Sequence, residues 1–251
     1  MFLRACLMAF SMYTAIPMPH FNFKKEDGRY VFIFFPLIGM VIAAFFLLWQ
    51  WIAFLWFGAV LRGAVSTTIP ILITGGIHMD GFLDTVDARS SHKTREEKLR
   101  ILSDVHVGAF AVIRGVIYLI IMFALLAEMP FRLTLPLACG FILSRCVAIY
   151  ALLLLPNAKG GGMLFELQHR MHRPFALLSA LVFTFIALAL SIWSAWAPSL
   201  IALVIVALVF LNFLRIARKE FGGITGDLAG YLIQRTELGW MFTLVIAAQF
   251  I

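Results

Sequence analysis

The chain has 251 residues, of which 63% are hydrophobic and 13% charged, and its mean hydropathy is +0.98. A soluble domain is about half apolar and about a quarter charged, so a single soluble domain is excluded, and so is a disordered chain. Lys and Arg number 20 against 13 for Asp and Glu, a net charge of +7; on a membrane protein this reads as a positive-inside bias on loops, not as a nucleic-acid footprint, and no nucleic-acid partner is expected.

In chain order, the segment 1–30 opens with an apolar stretch broken by Pro17 and Pro19. It carries Arg4 but no A-x-A cleavage pattern, which predicts an interfacial or re-entrant segment instead of a removable signal. Six apolar stretches follow, near 31–57, 59–77, 107–128, 131–156, 175–196 and 198–214. Each is long enough for a hydrocarbon core of about 30 Å, which takes about 20 helical residues. The last stretch, 239–251, has 13 residues and is expected to be half-inserted or packed against the bundle. Repeats and low-complexity linkers are absent. The expected fold is one all-α domain over 1–251, a polytopic integral membrane helical bundle of six to seven transmembrane helices in the lipid bilayer. Cys6, Cys139 and Cys146 lie in apolar stretches without CxxC spacing and read as reduced packing residues.

Between the spans, the polar segments 20–30, 78–106, 157–174 and 215–238 hold fifteen of the twenty basic residues, Lys24, Lys25 and Lys159 among them. They or their edges also carry His20, His78, His92, His106, His169 and His172, and every acid except Glu128. The opposite connections offer Arg62 and Arg132. The large loops therefore belong on one face, the cytoplasmic face of a bacterial or archaeal inner membrane. Polar chemistry gathered at one surface favours an enzyme over a transporter, which needs polar groups near the midplane.

The most informative stretch runs from Gly75 to Arg89. Asp80, Asp84 and Asp87 recur at i, i+4 and i+7, within an arc of roughly 60° on a helix. Three carboxylates on one stripe repel unless a cation lies between them, and hard oxygen donors suit Mg²⁺ or Mn²⁺; solvated acids on a helix exit are the bland alternative. Gly81 leaves room for a bulky substrate to approach the backbone. Thr94 with Glu97 is a capping-box pattern. The helix it opens turns Leu99, Leu102 and Val105 to apolar contact and brings Asp104 back as a candidate fourth ligand. Two glycine-rich segments share this face, Gly160-Gly161-Gly162 and Gly222-Gly223-Ile224-Thr225-Gly226-Asp227. Such loops either form anion nests for phosphate or simply punctuate the chain. Arg145, inside a span, is a candidate phosphate or carboxylate partner.

The stretch Gly75 to Asp87, with Asp104 and Gly108 and then Gly222 to Asp227, resembles the cobalamin synthase family, the adenosylcobinamide-GDP ribazoletransferases. Ile16-Pro17-Met18-Pro19, Phe35-Pro36-Leu37-Ile38-Gly39 and Leu155-Pro156 extend the likeness along nearly the whole chain. Ala88, and Val105-His106 before the glycine, depart from the pattern and leave the carboxylates intact. The resemblance implies attack by the 5′ oxygen of α-ribazole, or of its 5′-phosphate, on the phosphate attached to cobinamide, with GMP leaving. It implies Mg²⁺ or Mn²⁺ on Asp80, Asp84, Asp87 and Asp104, with Asp104, Asp227 or His78 available to take a proton. Gly81, Arg145, Gly222, Gly223, Thr225, Gly226 and Asp227 would contact substrate. A membrane CDP-alcohol phosphotransferase and an ion-coupled transporter are the competing readings, and a homo-oligomer is left open.

Overall fold

The computed structural model describes residues 1–19, 23–24, 26–104 and 106–250; His20, Lys25 and Val105 lie outside the described residues. Among the described residues the chain is α-helical, with one isolated parallel bridge between Asn157 and Ile224. Four helices are long and apolar enough to cross a membrane, or five if one bent pair counts as a single span.

Helix α1 (Phe2–Tyr13) has 12 residues, about 18 Å, too short to span. Helix α2 (Phe35–Trp56) carries Pro36 in its first turn, where a missing N–H costs nothing. Helix α3 (Ala59–Thr74) stops at Gly75 and Gly76, both left-handed with φ of 63° and 79°. Two such residues in succession need glycine. They turn the chain by 94° into α4 (Ile77–Ser90), which carries the aspartates. Helix α5 (Arg95–Ile101) opens on the expected capping box: Thr94 Oγ1 accepts from the Glu97 N–H at 3.4 Å, and Glu97 accepts from the Thr94 N–H at 3.1 Å. Leu102 beyond it is buried and Leu99 packs against the core.

Helices α6 (Ala109–Glu128) and α7 (Thr134–Leu154) are the next two spans, and α7 is buried along nearly its whole length at the centre of the bundle. After the short α8 (Met163–Arg170), α9 (Arg173–Ile216) breaks at Ala195, where φ is −151° and ψ is 72°. Ser191 and Ser199 would stand about 12 Å apart on a straight helix, yet their hydroxyls are 2.7 Å apart. The element is therefore a helical hairpin, matching the two expected spans 175–196 and 198–214. Trp193 and Trp196 stand exposed at its tip, where aromatic side chains suit a membrane interface.

The C-terminal third departs from expectation. Residues 215–238 are not a loop: a π turn (Ala217–Phe221) and a short connection lead into α10 (Gly226–Ala247), a 22-residue helix about 33 Å long. It starts beside the aspartates and ends at the far side, where Arg132 Nη2 donates to the Ala248 carbonyl at 3.0 Å. Of the two expectations for 239–251, packing against the bundle holds: Gly239–Ala247 form the distal part of this helix, with Trp240, Met241, Leu244 and Val245 buried. Hydropathy hid it, since Asp227, Gln234, Arg235 and Glu237 interrupt the apolar pattern.

Candidate active site

Helices α4 and α10 cross at two glycines. A Cβ on Gly81 would stand 2.8 Å from the Asp227 Cα and carbonyl oxygen, and one on Gly230 would stand 2.9 Å from the His78 carbonyl oxygen. The neighbour that Gly81 admits is therefore the backbone of α10, not a substrate. This crossing sets the start of α10 against the aspartate stripe of α4.

Asp84 is the electrostatic centre of the cluster. Partial burial, and after it the charges of Asp80 and Asp227, push its carboxyl up to about 6, with Asp87 adding to the effect and Lys159 opposing it. Asp227 Oδ2 is held at 3.4 Å by both the Lys159 ammonium and the Thr225 hydroxyl. Lys159 also donates to Ser103 Oγ at 3.0 Å and so ties the segment after α5 to α10. Sequence reasoning counted Lys159 only as a loop charge; its one signal was its place directly before the triple glycine. The Asp87 carboxylate lies against Gly108, where any Cβ would displace it. Asp104 accepts from the His106 N–H at 3.0 Å and stands 2.8 Å from the His106 ring nitrogen.

Among the described residues no three His, Cys, Asp or Glu side chains come close enough to enclose a metal ion. The expected four-carboxylate cage over Asp80, Asp84, Asp87 and Asp104 is thus not closed. The donor set still suits one kind of ion. Mg²⁺ keeps several waters and takes one or two carboxylates plus substrate phosphates, and the mutual repulsion at Asp84 is what such a cation relieves.

Other expected contacts fall elsewhere. The N–H groups of Gly222 and Gly223 both point at the Ala217 carbonyl, and Ile224 donates to Pro156 at 2.8 Å, so these donors are spent inside the loop and form no anion nest. Gly222, at φ 74°, has the Arg95 guanidinium packed against it. Thr225 caps α10 by accepting from the Leu228 N–H at 3.2 Å, while Gly226 faces open space. Arg145 is buried inside α7 and bound to Glu237 of α10 and to the Ser144 hydroxyl. Glu237 was assigned to a surface loop; a buried guanidinium needs an anion, and α10 supplies it. His78 is 5% exposed, and burial followed by the charge of Arg145 holds its imidazole well below the usual histidine range. Beyond the aspartates, Arg89 of α4 and Lys98 of α5 converge on Glu220 at 3.0 and 2.9 Å and pin the surface helix to the π turn.

The sequence matches the cobalamin-5-phosphate synthase family over residues 5–246. It belongs to that family. A Lachnoclostridium phytofermentans protein named adenosylcobinamide-GDP ribazoletransferase is 37% identical over 246 residues, covering 98% of this chain and 94% of its own length. Proteins of the same name from Clostridium botulinum and Deinococcus radiodurans are each 31% identical, covering 96% of this chain and 96% and 87% of their own lengths. No solved structure matches. As a cobalamin-5-phosphate synthase family member the chain is a transferase of cobalamin biosynthesis, built as an all-α polytopic membrane bundle.

Proposed function

We propose that the protein joins adenosylcobinamide-GDP to α-ribazole or its 5′-phosphate, releasing GMP and closing the nucleotide loop of the cobalamin. The observation that carries this reading is the meeting of Asp80, Asp84 and Asp227 with Lys159 at the α4–α10 crossing, in a chain whose relatives bear that name along their length. The 5′ oxygen is unavailable as nucleophile in an acceptor that carries its phosphate there, so a free ribose hydroxyl of the acceptor attacks the phosphorus borne by cobinamide, the bond to the GMP oxygen breaks, and the hydroxyl proton passes to a carboxylate. Such a transfer asks for positioning and charge neutralisation more than for covalent participation.

Asp80 and Asp84 would hold a divalent cation, Mg²⁺ or Mn²⁺, which when bound offsets the pyrophosphate charge. Lys159 adds a fixed positive charge beside Asp227. Asp227 Oδ2, which Lys159 and Thr225 orient, would receive the proton. At the start of α10 the Leu228 N–H is taken by the Thr225 hydroxyl, and the positive end of the helix dipole favours a phosphate there. The site faces the cytoplasm, where most loop Lys and Arg gather.

The test is GMP release and cobalamin formation by purified, reconstituted protein, with and without EDTA. Metal-dependent product is expected, and inside-out vesicles should make it from substrates added outside. Well-folded protein that instead turns over a CDP-alcohol, or nothing, overturns the reading.

A further inference from the structure

Beside the aspartates lies a cavity of ≈ 140 Å³ bordered by Asp80 and Asp227 themselves. Tyr13, Phe32, Phe35, Ala148 and Ile233 give it an apolar lining, and His78 stands among them. The His78 ring stacks on Tyr13 with centroids 6.4 Å apart and meets Phe35 edge-on at 5.9 Å. Its Nε2 is buried and has no hydrogen-bond partner. Buried polar atoms are almost always paired, and this unpaired nitrogen belongs to a ring in the cavity wall. An apolar cavity of about 150 Å³ is the size that takes up a benzene ring.

We propose that the cavity receives the base of the acceptor nucleoside, a flat benzimidazole, and that His78 Nε2–H donates to its free ring nitrogen. This rests on the reaction proposed above and deepens it by naming where the acceptor docks. The guanine of the other substrate fits poorly. Its edge carries several donors and acceptors; Asp80 and Asp227 could accept from its N–H groups, but the otherwise largely apolar wall would leave its carbonyl and ring nitrogens unpaired. A benzimidazole offers one acceptor and otherwise apolar surface. Base and ribose hydroxyls belong to one small nucleoside, and Asp80 and Asp227 border the cavity that would hold the base. His78 is then a specificity residue and not the general base.

The experiment compares α-ribazole with its indole counterpart, which keeps the shape and loses the acceptor nitrogen. Equilibrium binding to the purified protein and KM in turnover are both measured. The unaltered protein is expected to prefer the benzimidazole by about tenfold, the worth of one hydrogen bond. His78→Phe should abolish that preference, while His78→Gln, which keeps an N–H donor, should retain part of it. Ala148→Val, which narrows the cavity, should raise KM for both acceptors and leave KM for adenosylcobinamide-GDP in place. A preference that survives His78→Phe overturns the inference, as does an Ala148→Val effect confined to the GDP substrate. If the unaltered protein releases no GMP, the reaction reading fails by itself. A His78-dependent preference in the binding arm would then still uphold the cavity's ligand, and its absence would refute it.

Discussion

Asp84 shows how much one side chain depends on its neighbours. Its carboxyl, pushed up to about 6 by burial and by Asp80 and Asp227, is partly protonated just below neutrality when no cation is near. A cation must displace that proton, so divalent-cation binding is expected to tighten as pH rises through about 6 and to weaken as it falls. Titration calorimetry at pH 5.5 and 7.5 would show it, with proton release larger at the lower value. Asp84→Asn should lower turnover by at least about a hundredfold while the thermal melt holds or rises, because a repelled charge is removed. A variant with near-normal kcat would take the cation away from this stripe. The stripe itself was legible, since i, i+4, i+7 spacing is a one-dimensional statement about a helix. Lys159 was not, because the contact that matters spans 68 residues and is made only when the loop after α7 folds over α10.

Between helices, the decisive contact is glycine on backbone. Gly81 and Gly230 let α4 and α10 touch, and Gly81→Ala or Gly230→Ala forces backbone atoms apart. Overpacking of this kind costs about 1–3 kcal/mol, and here it also moves Asp227 away from Asp80. A lower melting temperature in detergent together with a larger loss of kcat is the expected pair of results; loss of stability alone would mean that the crossing does not set the site. The sequence singled out Gly81 but assigned its empty space to a substrate. A missing side chain announces a close approach without naming what approaches, and the partner lies about 150 residues away in the chain. The helical hairpin at Ala195, by contrast, was legible as two spans, because each arm is apolar along a bilayer's length and Pro198 stands at the join.

At the scale of the whole molecule, one ion pair joins the two helices that run through its middle. Arg145 of α7 and Glu237 of α10 are both buried. Removing one member of such a pair strands the other, at a cost of about 3–5 kcal/mol, whereas replacing both by apolar residues of similar volume is often neutral. Glu237→Ala is therefore expected to melt far below the unaltered protein, and Arg145→Met with Glu237→Met to recover most of the loss. Failure of the double variant to recover would give the pair a role beyond neutralising itself. Counting this acid among the loop charges misled, since a charge buried in a helix is counted as surface until its partner is found.

Helix α10 is one rod with Asp227 at one end and Ala248, gripped by Arg132, at the other. Its length of about 33 Å is close to the thickness of a bilayer's hydrocarbon. A membrane that thins or thickens is met partly by helix tilt, and a tilt of this rod swings its aspartate past a partner helix fixed across its end. The lipid would then act as a tuning screw on the chemistry. Turnover in vesicles of graded acyl-chain length is expected to peak at one thickness and fall on either side, while a site indifferent to chain length would mean that α4 rides along with the rod.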